Sequence, residues 1–201
     1  RVYGEGELGE AEGRIYIGWQ IIDDIPHEAR LERYGIDFGY FPDPAAIVAI
    51  YYYNGGYILD EILYAHRLDN MALAGTLRNL ESALVIADSA EPKSIAEISS
   101  QGINIIATEK GKDSVRYGVK TLQALRISVT SRSLNLIKEY RNFYQAHDKK
   151  TNMAIIGEYD GERHALDASR YGLCSLIPII ARRDYIREIP KMMNRVRRNP
   201  V

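Results

Sequence analysis

The sequence has little cysteine, no long apolar run and no excess of charge of one sign. Its one cysteine, Cys174, excludes an internal disulfide and a cysteine-based zinc cluster, and such scarcity fits a reducing cytosol. No apolar stretch is long enough to predict a membrane span, and we find no signal peptide. The net charge of −1 excludes a strongly basic whole-molecule field, so affinity for nucleic acid would have to come from local patches or from metal ions that screen acidic groups.

The composition is that of one globular domain with a real core. The chain has 201 residues, of which 46% are hydrophobic and 26% are charged. Tyrosine is abundant, with 15 residues, and many lie in strand-like stretches such as residues 51–53, which favours half-buried packing in strands over stacking on nucleic-acid bases. The first residue is Arg1, not methionine, so we expect the chain to be part of a longer protein.

The first third of the chain predicts a three-strand antiparallel meander. Residues 1–33 are interpreted as a lead-in that holds one strand, residues 14–22, and a polar connector with Pro26. The meander strands follow at residues 34–37, 45–53 and 57–64, and Asn54-Gly55-Gly56 is a tight hairpin signal.

The rest of the chain alternates between helical and strand periodicity. Helices are predicted at residues 69–82, 91–100, 113–124, 133–142 and 162–176. Strands are predicted at residues 83–87, 104–107 and 127–130, with a hairpin at 143–156. This order indicates an α/β fold, a mixed sheet flanked by helices. We place the main domain at residues 34–177 and a basic extension at residues 178–201, which by default is a solvated tail and alternatively a contact with a partner.

Two aspartates follow buried strands directly. Asp37 comes after Tyr34-Gly35-Ile36, and Asp88 comes after Val85-Ile86-Ala87. If these strands are neighbours in the sheet, the two carboxylates repel each other unless a cation lies between them. Clustered carboxylates are the ligands that Mg²⁺ prefers, with water and phosphate oxygens completing the coordination. The pattern therefore indicates a candidate site for a divalent cation.

A third contributor is predicted on the last helix. His164 and Asp167 are three residues apart and share one helical face. A helix that crosses the strand ends would bring Asp167, and with it His164, to the metal site. The residues alone leave a simpler interpretation open, in which each aspartate is a turn or cap residue and the histidine is an ordinary surface or core residue.

Four stretches resemble motifs of one protein family, the nuclease domain of the large terminase subunit of tailed bacteriophages. Residues 35–40 with 43–46 are similar to its first nuclease motif, and residues 88–95 to its second. Residues 111–114 resemble its lysine-rich loop, and residues 164–171 resemble its third motif. The four occur in the family's order between Gly35 and Leu176, and this combination is specific where one motif alone would be weak.

The resemblance implies an RNase H-like domain that cuts concatemeric double-stranded phage DNA during genome packaging. It assigns Asp37, Asp88 and Asp167 as catalytic metal ligands for two Mg²⁺ or Mn²⁺ ions, and His164 as a further ligand or near neighbour. It places Asp43 close to the site but not on the metal, and Lys112 and Lys110 on the DNA phosphates. Because phosphate contacts carry little base information, low sequence specificity follows. Arg163 departs from the family pattern, in which an acidic residue commonly precedes the histidine.

The resemblance also implies partners and a place of action. The family's ATPase motor lies N-terminal to the nuclease and would be missing from this fragment, and the portal protein and the small terminase subunit are expected partners. Such a phage or prophage protein would act in the host cytoplasm at the procapsid.

Two other motifs fail in their context. Asp37-Phe38-Gly39 is the magnesium motif of protein kinases, but no His-Arg-Asp loop precedes it. Gly111-Lys112 resembles the end of a phosphate-binding loop, but Ile106 stands where that loop needs glycine. The remaining alternatives are another RNase H-like nuclease, such as a resolvase or transposase core, and a non-catalytic module that docks on the portal.

Overall fold

A seven-stranded mixed sheet forms the centre of the protein in the computed structural model, which describes residues 13–109 and 114–176. The strands of the described residues are β1 (Gln20–Ile22), β2 (Arg30–Asp37), β3 (Ala45–Tyr53), β4 (Gly56–Ala65), β5 (Leu84–Ala87), β6 (Ile105–Ala107), β7 (Ile127–Thr130), β8 (Tyr144–His147) and β9 (Ala154–Asp160). The helices are α1 (Asn70–Arg78), α2 (Pro92–Ser100), α3 (Ser114–Gln123), α4 (Leu134–Arg141) and α5 (His164–Ser175).

The strand order in the main sheet is β1-β7-β4-β3-β2-β5-β6, while β8 and β9 form a separate hairpin. β3 is antiparallel to both of its neighbours, β2 and β4, and the remaining pairs of strands in this sheet are parallel. Asn54 and Gly55 have φ values of 45° and 75°, the left-handed backbone that a two-residue hairpin turn requires. The predicted meander and the predicted mixed sheet are both confirmed.

Both faces of the sheet are covered, and β3 shows this most clearly. Its residues Ala46, Val48 and Ile50 join a core formed with α3, α4 and α5, whereas Ile47 and Ala49 join a core with α1 and α2. This alternation is the period of two that a strand imposes on its side chains. The last helix, α5, therefore lies on one face of the sheet, above β2 and β3.

A glycine lets α5 approach the sheet closely. A Cβ atom at Gly35 in β2 would overlap the backbone carbonyl of Ala168 in α5. A Cβ atom at Gly172 in the same helix would also overlap the end of the Ile50 side chain, which would have to shift. The sequence thus sets the height of α5 above β2, the strand that ends at Asp37.

The structure corrects the prediction for the segment that precedes β1. Residues 14–22 alternate like a strand, but only Gln20–Ile22 forms one, paired with β7 at the edge of the main sheet. Tyr16 stacks on Trp19, and Trp19 stacks on Tyr140, with ring centroids 5.0 and 4.8 Å apart. The aromatic core therefore holds the rest of this segment. The predicted connector is also shorter, because β2 already begins at Arg30.

Ser133 is the N-cap residue of α4, but its side chain makes no capping hydrogen bond. Its hydroxyl instead accepts a hydrogen bond from the backbone N–H of Glu61, at 2.8 Å, and lies 2.7 Å from the hydroxyl of Thr130. Asp113, the first residue of the third predicted helix, and the basic extension at residues 178–201 lie outside the described residues, and the domain boundaries stay predictions. None of the helices in the described ranges is long and apolar enough to cross a bilayer.

Candidate metal centre

Asp37 and Asp88 come together because two parallel strands end side by side. β2 and β5 pair in parallel with Ile36 opposite Ala87, so the next residue of each chain is an aspartate. The two carboxylates therefore leave the sheet at the same edge, next to each other. The two strands are neighbours in the sheet, which is the arrangement that a shared cation site requires.

The helix α5 brings His164 and Asp167 to this edge in its first turn. The Nδ1 atom of His164 lies 3.2 Å from Oδ2 of Asp37, and its Nε2 atom lies 3.8 Å from Oδ1 of Asp43. The hydrogen bond to Asp37 raises the pKa of His164, and burial acts against that rise. Asp43 is mostly exposed, in the loop between β2 and β3.

Asp37 is an electrostatically costly carboxylate. Burial raises its pKa above the usual value, and the charges of Asp167 and Asp88 raise it further, while the hydrogen bond with His164 acts in the opposite direction. Like charges so close to a buried carboxylate would be stabilised by a divalent cation.

Asp88 is held by two donors. The hydroxyl of Tyr171 donates to its Oδ2 at 3.1 Å, and the backbone N–H of Ala90 donates to its Oδ1 at 2.9 Å. Burial raises the pKa of Tyr171, and the charges of Asp167, Asp37 and Asp88 act in the same direction. Tyr171 is thus a common neighbour of the three carboxylates.

Asp167 is paired with two arginines. Nε and Nη2 of Arg170 both lie 3.0 Å from its Oδ1, and Nε of Arg163 lies 3.5 Å from its Oδ2. Arg170 is buried, whereas Arg163 is partly exposed. Arg163 therefore places a second cation beside Asp167.

The donor set fits a divalent cation in its chemistry. Three carboxylates and one imidazole meet at one sheet edge, and hard cations prefer such oxygen ligands. As arranged, each carboxylate is paired with a protein donor, and no group of three acidic, histidine or cysteine side chains within residues 13–109 and 114–176 has metal-binding geometry. A bound cation would therefore have to share or displace these hydrogen bonds.

A cavity of about 210 Å³ opens beside Asp88 and Asp167. Its other lining residues include Glu109, Ser114, Arg163 and Arg170. Lys110 and Lys112, the predicted phosphate contacts, lie outside the described residues, between Glu109 and Ser114. The residues that flank this segment therefore reach the candidate site.

Four residues of the site were missed by the sequence analysis. Arg170 and Tyr171 are three and four residues after Asp167, so helical spacing from a predicted ligand was a usable signal. Glu139 and Tyr64 contact His164 and each other from distant parts of the chain, and no local pattern marks them.

Comparisons with known proteins agree with this architecture. The family described as "Terminase RNAseH like domain" matches residues 37–174. The terminase large subunit of Bacillus phage SPP1 is 36% identical over 181 residues, which cover 82% of this chain and 42% of that protein.

Solved structures show the same fold. The large terminase nuclease domain of bacteriophage SPP1 with bound Mn superposes with a TM-score of 0.68 at 30% identity, covering 79% of this chain and 97% of that one. The large terminase nuclease of thermophilic phage G20c with bound magnesium gives a TM-score of 0.57 at 14% identity, covering 82% of this chain and 98% of that one. At that lower identity the likeness shows the fold alone.

The chain spans about 42% of the length of the SPP1 large subunit, the curated relative that it matches. The family match begins at Asp37 and ends within α5, so it contains both strand ends and the helix of the candidate site. The resemblance and the RNase H-like fold predicted from the sequence are confirmed. This chain belongs to the terminase RNase H-like domain family.

Proposed function

We propose that this domain is a divalent-metal-dependent endonuclease that hydrolyses phosphodiester bonds of double-stranded phage DNA during genome packaging. The observation that carries the proposal is the meeting of Asp37, Asp88 and Asp167, from three separate elements, at one edge of the sheet. Support comes from the SPP1 nuclease domain, a relative at 30% identity that was crystallised with Mn.

Asp37, Asp88 and Asp167 would hold two Mg²⁺ or Mn²⁺ ions, with His164 as the nitrogen ligand. Bound divalent cations lower the pKa of water and neutralise charge that develops on a phosphodiester. The protein orients the ligands: Tyr171 holds Asp88, and Arg170 holds Asp167. With Asp37 ionised, its carboxylate would accept from Nδ1 of His164, and Nε2 would be the nitrogen available to a cation.

Other residues would contact the DNA. Arg163 is partly exposed, at the rim of the cavity beside Asp167, where a guanidinium is placed to meet a phosphate. Lys112 and Lys110 stay proposed phosphate contacts, and Asp43 would adjust His164 without binding the metal. Contacts of this kind give low sequence specificity.

The partners follow from the family and are proposals here. Double-stranded DNA is the substrate, and the portal protein, the small terminase subunit and an N-terminal ATPase domain would act with this domain in packaging. That activity belongs to the host cytoplasm, where concatemeric DNA is delivered to the procapsid.

A non-catalytic docking module is the second candidate. One observation favours it: the three aspartates are all paired with protein donors, as carboxylates with a purely structural role would be. The family match favours a terminase nuclease over a resolvase or transposase core.

Plasmid cleavage separates the two candidates. We expect the purified chain to cleave supercoiled plasmid with Mg²⁺ or Mn²⁺ and not with EDTA, and Asp88→Asn to lose this activity. Asp69→Asn is the matched control, because Asp69 caps α1 through Oδ1, and asparagine provides the same acceptor. Metal-independent cleavage, or an Asp88→Asn variant as active as Asp69→Asn, would remove the assignment. Portal binding without cleavage would support the docking module.

A further inference from the structure

The helix that carries His164 and Asp167 has no cap of its own. Its N-cap residue is Arg163, and no side-chain hydrogen bond from that residue reaches the first turn. The backbone N–H groups at the start of a helix have no partner within the helix and need one elsewhere. In this protein that partner comes from α4.

Glu139 in α4 supplies both acceptors. Its Oε1 accepts from the backbone N–H of His164, and its Oε2 accepts from that of Leu166, each at 2.9 Å. Glu139 is 1% exposed, and burial raises its pKa to about 7. A buried carboxylate of this kind is costly on its own, and the hydrogen bonds and the positive end of the helix dipole offset that cost.

Tyr64 connects Glu139 to the part of the sheet in which Asp37 lies. Its hydroxyl donates to Oε1 of Glu139 at 2.9 Å, and its ring meets the ring of His164 edge-on, with centroids 6.3 Å apart. In the sheet, Tyr64 is opposite Ala46, and Ala46 is opposite Asp37. Tyr64 and Asp37 are therefore in register with each other across the three adjacent strands β4, β3 and β2.

A local cap would move with its own helix, whereas Glu139 ties the helix to a different element. The two N–H groups that it binds belong to His164 and to the residue before Asp167. Movement of Glu139 relative to the sheet would therefore rotate or shift both candidate ligands. Residues that orient metal ligands typically contribute about 10- to 100-fold to metal affinity or activity.

We propose that Glu139, together with Tyr64, is a positioning residue that holds the first turn of α5 in register with Asp37, so that His164 and Asp167 meet the metal. This inference rests on the proposed function. It assigns roles to two residues that do not touch the substrate.

The test compares direct Mn²⁺ binding in four proteins: the wild-type chain, Glu139→Gln, Tyr64→Phe and Asp60→Asn. Glu139→Gln keeps the shape and replaces one acceptor oxygen by an NH₂ group that cannot accept. Asp60→Asn is the matched control, since Asp60 is a buried carboxylate that binds Arg132 and Thr130, away from α5. Calorimetric titration is run well below the lowest melting temperature, and the Mn²⁺ dependence of plasmid cleavage is measured alongside.

We expect Glu139→Gln to weaken Mn²⁺ binding by about tenfold or more, with Asp60→Asn within about twofold of the wild type. If Glu139→Gln does not fold, Tyr64→Phe carries the test. It removes one hydrogen bond and keeps the ring against His164, so a two- to fivefold loss is expected.

Wild-type Mn²⁺ affinity in Glu139→Gln, or in Tyr64→Phe if that variant has to carry the test, would overturn the inference. So would an equal loss in Asp60→Asn, because the effect would then follow stability and not position. A wild-type chain that neither binds Mn²⁺ nor cleaves DNA would overturn the proposed function itself, and this outcome is separate from the others.

Discussion

Asp37 and Asp60 are both largely removed from solvent, yet their surroundings differ in kind. Asp60 accepts two hydrogen bonds from the guanidinium of Arg132, at 2.8 and 2.9 Å, and a third from Thr130 at 2.6 Å. Asp37 has the imidazole of His164 at 3.2 Å and two further carboxylates close enough to raise its pKa. The charge of Asp60 is balanced by a cation of the protein, while Asp37 is placed where a cation from solution would be most stabilising.

Exchanging each of these aspartates for asparagine sharpens the comparison. Asp37→Asn should reduce cleavage about a thousandfold or more, because metal stabilisation of the reacting phosphate is worth several kcal/mol and each 1.36 kcal/mol is a factor of ten. Its melting temperature in EDTA should stay the same or rise, since a buried carboxylate near like charges is removed. Cleavage assays and thermal denaturation measure the two effects.

Asp60→Asn should give the opposite result. Asparagine keeps the Oδ1 acceptor, but Arg132 loses the negative charge that it pairs with and the Oδ2 acceptor of its second hydrogen bond. The free energy of unfolding should therefore fall by about 1–3 kcal/mol, at the lower end because Arg132 is half exposed. Cleavage measured below the melting temperature should be unchanged. If Asp37→Asn were the more destabilising of the two, or Asp60→Asn the less active, the division between a metal-binding and a structural carboxylate would be wrong.

The approach of α5 to the sheet is the next feature to test. Gly35→Ala places a methyl group against the carbonyl of Ala168, so the helix has to move away from β2. We expect a loss of about 3 kcal/mol in the free energy of unfolding, measured by urea denaturation, and a drop in cleavage.

Gly75→Ala is the control for Gly35→Ala. Gly75 lies in α1, and a Cβ atom there meets no atom within 4 Å. Alanine should therefore stabilise that helix by about 0.5–1 kcal/mol through helix propensity. Equal effects of the two substitutions would show that the close contact of α5 with β2 is not needed.

The difference between Asp37 and Glu139 also shows what the sequence could predict. Asp37 and Asp88 follow buried apolar triplets, so the sequence predicts that both lie at strand ends. The parallel pairing of β2 and β5 then brings the two carboxylates to the same edge of the sheet. Arg170 and Tyr171 follow Asp167 by three and four residues, so helical spacing could have predicted that they lie beside it. Glu139 binds the N–H of a residue 25 positions away, and only the packing of α4 beside α5 brings them together.

The strand overpredicted at residues 14–22 has a similar physical cause. Its alternation is real, but Trp19 and Tyr16 bury their rings by stacking, and a backbone N–H at Trp19 donates to the hydroxyl of Tyr140 instead of to a neighbouring strand. Alternation predicts which side chains are buried, and it does not say whether a neighbouring strand is available. Such tertiary contacts decide what local periodicity leaves open.

The last prediction concerns Tyr171, whose hydroxyl donates a hydrogen bond to a candidate metal ligand, Asp88. Tyr171→Phe removes the hydrogen bond to Oδ2 of Asp88, while the backbone N–H of Ala90 still holds Oδ1. We expect about tenfold slower cleavage at limiting Mn²⁺, the lower end for a residue that orients a metal ligand. Tyr34→Phe is its control, because the Tyr34 hydroxyl also makes one hydrogen bond, to the backbone carbonyl of Glu81, which precedes β5. Both variants should lose about 1 kcal/mol of stability and so have similar melting temperatures. If Tyr171 orients Asp88, only Tyr171→Phe should cleave DNA more slowly. Equal cleavage by the two variants would contradict that role.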